Sequence, residues 1–275
     1  MSVQPSCPRA AGALAGIALL IAAWASAAGA VDPLNTLRAF CQADGRGDRI
    51  DPKTWPAIAG LVTWPLEPAW DHLYLIHGFE LGTPKVRAAG LEIPVQYTVT
   101  AEVGSNGVQA ADRVESRTYR LVRGDDGTWL IQAPPPPPYV FASAADPEAL
   151  AALFDPEHSS YLSNSALAWR LLHGAGWDMP YADTARLATA PAFSPERTAQ
   201  IGDLALYFDG EQAYHVAVVE SDDTVVSSTL NGGIRRTPFG AFAGEIRYRR
   251  PIATPAPTPV ATPRAAATAK PTQGK

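Results

Sequence analysis

The stretch SNSALAWRLLHGAGWDMP, residues 163–180, decides how this sequence is read, together with Gly202-Asp203-Leu204 and His215 downstream. Ser163 or Asn164 suits a helix N-cap, because a short polar side chain can accept from an unpaired N–H of the first turn. Leu167, Leu171 and Leu172 follow at helical spacing, so one face turns to a core. Within residues 163–187 the spacing thus predicts a helix that ends at Gly174/Gly176 and is followed by Pro180. Residues 202–208 then read as a turn feeding a strand, 214–219 as a second strand and 224–227 as a third, with Ser221-Asp222-Asp223 as a turn between the last two. A helix followed by a short antiparallel sheet is an α+β layout. It suits proton-transfer chemistry, since the helix dipole acts on a group at its N-terminus and a histidine on a facing strand can hold the proton.

Upstream stand five prolines, 134–138, which cannot donate to a sheet ladder and favour an extended chain. They predict a linker at 134–140 between one domain over 31–133 and another over 141–251. Past the linker, 146–154 reads as a short helix with Pro147 in its first turn. In the first half, Leu34, Leu37, Phe40 and Cys41 make an apolar helical stripe from Asp32 onward. Cys41 on that stripe reads as a small buried hydrophobe, with no neighbouring His or Lys to lower its pKa. The Trp- and Pro-rich segment from Trp55 to Trp70 reads as short helices and turns, and strands are expected at 92–103, 117–123 and 128–133. The last two form a hairpin around Gly124-Asp125-Asp126-Gly127, with Tyr119 and Leu121 set against Trp129 and Ile131. Asp71, His72, His77 and Glu80 are expected near the mouth of this unit, as a polar pocket or as a solvated face.

At 275 residues and 47 % apolar composition, the chain can bury one large core or two modest ones. Arg9, an uncharged run over 10–25 and Ala28-Gly29-Ala30 read as a cleavable secretory signal over 1–30. The expected location is therefore outside the cytoplasm, in a periplasm or the extracellular medium, with no stable membrane insertion once the signal is cut. Cleavage removes Arg9 and no acid, taking the formal charge from −5 to −6, which argues against nucleic acid as a partner. One cysteine, Cys41, then remains, so internal disulfides cannot hold the fold. No Cys pair or HExxH spacing suggests zinc, and no cofactor is expected. Residues 252–275 are rich in Pro, Ala and Thr without periodicity and read as a disordered tail.

Residues 160–250 resemble the NlpC-type cell-wall peptidases, a papain-like superfamily. That family carries D-C-S-G at the start of a helix, then a Gly and L-P, then G-D-L before a strand, H-V-G on the next and a polar residue on the third. Here Ser163, Asn164, Ser165 and Ala166 meet D-C-S-G, Gly176 and Met179-Pro180 meet the Gly and L-P, and Gly202-Asp203-Leu204 meets G-D-L. His215-Val216-Ala217-Val218 meets the histidine motif, and Ser227 or Ser228 falls at the third polar position. The resemblance implies a catalytic set at Asn164, His215 and Ser227, with Ser163, Asp203, Tyr214 and Arg235 around a substrate groove. Asn164 stands where the family keeps its thiol, and an amide is no nucleophile at neutral pH. The implied protein is a pseudoenzyme that binds a peptidoglycan stem peptide or an envelope protein. The alternative is an amide or ester hydrolase using Ser165 with His215 as base. Asp203 also fits plain turn chemistry, His215 a core polar group, and Arg235 with Arg236 a solvated hairpin edge. Residues 32–135, a helix and then antiparallel strands ending in a D-G-x-W-x-I hairpin, resemble the cystatin-like cone of the nuclear-transport-factor-two superfamily. The expected whole is α+β, a cystatin-like cone domain followed by a papain-like NlpC-type domain.

Overall fold

A computed structural model of the protein describes residues 32–252. The expected signal, and the expected tail beyond Ile252, lie outside the described residues. The fold is mixed α+β with two sheets. Helix α1, Pro33–Gly45, starts where Asp32 Oδ1 accepts from Leu34 N at 3.0 Å, and it buries Leu37, Phe40 and Cys41. Cys41 is packed as a hydrophobe, and burial pushes its thiol up to about 12. A short α2, Trp55–Ala59, adds Trp55 and Ile58 to the same core.

The first sheet contains β1 (His72–Leu81), β2 (Lys85–Arg87), β3 (Gly90–Gly104), β4 (Gly107–Arg123), β5 (Trp129–Ile131) and β6 (Tyr139–Phe141). Its order is β5-β4-β3-β1-β6, with β2 paired beside β3. Alternation along β3 puts Ile93, Val95, Tyr97 and Val99 on the face that covers α1. The β4–β5 hairpin falls where the Gly/Asp turn predicts it, with Gly124 N donating to Thr128 O at 2.8 Å and Gly127 at φ 83. Strand β1 is absent from the sequence reading for a physical reason. Tyr74 and Ile76 face the α1 side while Leu73 and Leu75 face α3 (Pro147–Leu153), so both faces are apolar and the period of two is lost.

The proline run does not swing free of the first sheet. Tyr74 N donates to Pro138 O at 2.9 Å, and β6 directly after it pairs parallel with β1, Tyr74 against Tyr139. Phe141 crosses α1 so closely at Gly45 that a Cβ there would lie 2.2 Å from its ring. The chain therefore rejoins the first sheet after the prolines, and residues up to Tyr161 still pack on it.

The second sheet contains β7 (Phe193–Glu196), β8 (Leu204–Asp209), β9 (Gln212–Val219), β10 (Thr224–Thr229), β11 (Gly233–Pro238) and β12 (Glu245–Pro251), ordered β11-β10-β9-β8-β12-β7. Helix α4, Asn164–Gly174, stops at the first glycine. Past 174 the chain leaves the helix and returns to helical form only at α5, Thr184–Leu187, which Asp183 caps separately. Ala168 and Leu172 of α4, with Leu187 of α5, cover the face bearing Leu204, Leu206, Phe208 and Val216. Trp70 and Phe242 cover the other, which bears Ala205, Tyr207, Ala217 and Val219.

A buried ion network links the core under the first sheet to Trp70, which covers the second. Arg49 Nη2 donates to Glu67 Oε1 at 2.6 Å and to Pro136 O at 2.7 Å, and Arg49 Nη1 to Asp44 Oδ2 at 3.3 Å. Glu67 also accepts from the indoles of Trp64 at 2.7 Å and Trp70 at 2.6 Å. Arg49 and Glu67 are 0 % exposed, so each charge depends on the other for stabilisation. Burial pushes the Asp44 carboxyl up to about 7 against the pull of Arg49. Arg49→Met should strand two buried carboxylates and lower unfolding free energy by about 3–5 kcal/mol. Urea unfolding at neutral pH measures it.

Candidate functional site

The start of α4 is built by hydrogen bonds from residues distant in sequence. Ser163 caps the helix, its Oγ accepting from Ala166 N at 3.3 Å. Asn164 N donates to Ala69 O at 2.7 Å, and Ser228 Oγ donates to Leu162 O. The buried carboxylate of Asp71 organises the rest. Its Oδ1 accepts from Ser165 N at 3.0 Å and Ser165 Oγ at 2.7 Å. Its Oδ2 accepts from Thr184 N at 2.9 Å and from the Thr184 hydroxyl. One carboxylate thus serves the first turns of α4 and α5, where the peptide dipoles favour negative charge.

Ser165 has no hydrogen bond to His215. Its proton goes to Asp71, so the Tyr181 hydroxyl, 2.6 Å away, donates to Ser165 Oγ. Burial raises the Tyr181 phenol to about 12, which keeps it a donor. Both the hydrogen and a lone pair of the serine are engaged in holding structure.

His215 lies on β9 with its ring 3.8 Å from that of Phe242 and 5.4 Å from that of Tyr207. Those rings belong to the face bearing Ala205 and Ala217, whereas α4 packs Ala168 and Leu172 on the opposite face. Neither imidazole nitrogen has a hydrogen-bond partner among the described residues, and burial pushes the pKa down to about 3. The side-chain atoms of Asn164 and the Ser227 hydroxyl are likewise buried without partners. So the three positions that the resemblance assigns to catalysis are not bonded to one another. Ser163, Asn164, Ser165, His215 and Ser227 are all 2 % exposed or less.

The residues expected around a groove are dispersed. Asp203 is buried in the turn before β8, paired with Arg250 at 2.9 Å and accepting from Gln200 N at 2.8 Å. The Tyr214 hydroxyl donates to Ala243 O at 2.6 Å, and its ring tilts against Trp70. Arg235 lies exposed on the edge strand β11, its guanidinium close over Gly232. Tyr214 also lines a cleft of about 190 Å³ with Asp71, His72, Tyr74 and Glu102, and none of the buried set lines it. Asp71 and His72 stand at one end of β1, while His77 and Glu80 lie roughly 15–30 Å farther along the strand at its usual rise. Among the described residues no group of three His, Cys, Asp or Glu side chains is placed to hold a metal.

Sequence reasoning missed the role of Asp71, because its partners lie 94 and 113 residues away. No local spacing announces such a contact. No family model matches the chain, and no curated protein matches it.

Asp71→Ala should leave the Ser165 and Thr184 donors without their shared acceptor. It is expected to cost about 3 kcal/mol of unfolding free energy, measured by urea denaturation. His215→Leu tests the buried imidazole. Below about 6.5 the unfolded wild-type chain binds a proton at His215 that the folded one refuses until about 3, so wild-type stability at this site falls with falling pH. The variant lacks this loss. Its stability relative to wild type should be flat above about pH 6.5 and rise by about 1.4 kcal/mol for each pH unit below. Asp44 titrates with the opposite sign in both proteins and drops out of the difference. Paired denaturation curves between pH 7 and 4.5 read it.

Proposed function

We propose that this chain is an exported cell-envelope protein that recognises a cell-wall peptide or an envelope protein and does not cleave it. In this reading the segment 141–251 is a degenerate, papain-like NlpC-type domain, following a cystatin-like cone over 31–133. The motif frame Gly202-Asp203-Leu204 and His215-Val216-Ala217-Val218 supports the ancestry. Support also comes from Asn164, His215 and Ser227. Each holds buried polar atoms without partners, an arrangement that costs stability and that packing alone gives no reason to retain.

The observation that carries the non-catalytic reading is the engagement and burial of Ser165. A serine nucleophile needs a base within hydrogen-bond reach and an open approach for a carbonyl carbon. Ser165 instead gives its proton to Asp71 and is 0 % exposed. Asn164 supplies no ionisable group in its place.

Incubation of the full chain with purified peptidoglycan stem peptides, followed by mass spectrometry, tests the reading. Intact peptides at stoichiometric protein are expected. Cleavage that disappears in His215→Ala would sink it.

A further inference from the structure

A large cavity lies away from the α4 start. It has a volume of about 920 Å³ and runs between α5 and the β8–β12–β7 side of the second sheet. Its floor is apolar, with Leu206, Phe208 and Ala213, and Ala188 of α5 forms part of one wall. Size and lining are those of a small-molecule site.

Its charges are unevenly matched. In the β8–β12 register Leu206 faces Arg247 and Leu204 faces Arg249, so both arginines stand on the leucine side of the sheet. Arg247 is accounted for, since it pairs with Glu211 at 3.2 Å and Glu245 at 2.8 Å and lies over the Phe208 ring. The other carboxylate of the groove, Glu196, is taken by Arg250 at 3.4 Å. Arg249 and Arg197 line the same groove, and among the described residues neither has a carboxylate partner. Arg249 is half-buried, and its Nε is fully buried with no hydrogen-bond acceptor. The outer guanidinium nitrogens of Arg249 are not enclosed in this way and have no hydrogen bond among the described residues, so they are free to receive an arriving oxyanion.

We infer that this groove binds a carboxylate carried on an apolar body, with Arg249 receiving the carboxylate and Leu206, Phe208 and Ala213 covering the apolar part. The planar fork of the guanidinium matches a carboxylate in two parallel bonds. Arg197, exposed at the rim, adds a second positive charge on the path of entry. The ligand has two possible sources, a free fatty acid or a short apolar peptide with a free C-terminal carboxylate. The inference does not depend on the proposed cell-wall role, because it uses none of the residues at the α4 start.

Calorimetric titration of the full chain separates the sources. The probes are decanoate, acetyl-Leu-Ala-Leu as the free acid, and the neutral decanol and peptide amide as controls. Binding of at least one acid is expected, weakened tenfold or more in Arg249→Gln, weakened less in Arg249→Lys, which keeps the charge without the fork, and unchanged in Arg38→Gln on α1. Ala188→Phe, which fills the groove and keeps its charge, should abolish binding while the melting temperature stays near wild type. Decanoate alone binding assigns a fatty acid, and the peptide acid alone assigns a peptide terminus. Failure of both acids to bind overturns the inference. So does equal binding of the neutral controls, or acid binding that is insensitive to both Arg249→Gln and Ala188→Phe.

Discussion

The buried carboxylate of Asp71 is the contact on which the arrangement of the second half depends. It closes the first turns of α4 and α5 from a position just before β1, so a residue at the border of one sheet fixes both helices that cover the other. The segment leading to it is bonded in both directions. Glu67 receives Arg49, Trp64 and Trp70 through its side chain, while its carbonyl accepts from Leu230 N at 2.9 Å. Ala69 N donates to Ser228 O at 3.3 Å, and Ala69 O accepts from Asn164 N at 2.7 Å. Residues 64–71 thus act as a seam rather than as turns within the first half. A seam made of charged groups in a dry interior needs nearly complete hydrogen bonding, and Glu67 and Asp71 have it.

Periodic elements were legible in the sequence. The stripe of α1, the Ser163 cap of α4, the Gly/Asp hairpin between β4 and β5, and strands β8 to β10 all carry local signals, and each lies within a few residues of its expected place. Elements without a local signal were not. Strand β1 is buried on both faces and shows no alternation. Strand β6 has three residues and exists because Phe141 and Tyr139 pack over α1 and β1, a tertiary cause that no window of sequence contains. The proline run reads as a linker for sound reasons, yet Arg49 and Tyr74 hold it against the first sheet through its carbonyls, the one backbone group a proline keeps.

The candidate site was legible as residue types and not as geometry. Asn164, His215 and Ser227 were picked out by a motif resemblance, and a motif does not say what surrounds a side chain in the folded core. His215 alternates with Ala217 and Val219 and so faces the side of the sheet that carries the Tyr207 and Phe242 rings, while the β8–β9 register shift between Tyr207 and Phe208 alters only the facing of Ala213 and Tyr214.

Buried polar groups in this chain therefore fall into two kinds, and the distinction bears on function. Asp71 and Glu67 are paired several times over and hold the fold. Asn164, His215 and Ser227 have side-chain atoms without partners among the described residues but are enclosed, so no ligand can complete them without opening the core. Arg249 is enclosed only at Nε and lines a large apolar groove, so its outer nitrogens have what a ligand needs, open hydrogen-bonding capacity and access. A protein can carry an uncompensated charge at such a place at small cost when a bound anion compensates it during use, whereas the same charge in a sealed interior would only destabilise. Access, rather than perturbation alone, decides whether a buried polar group can meet a ligand.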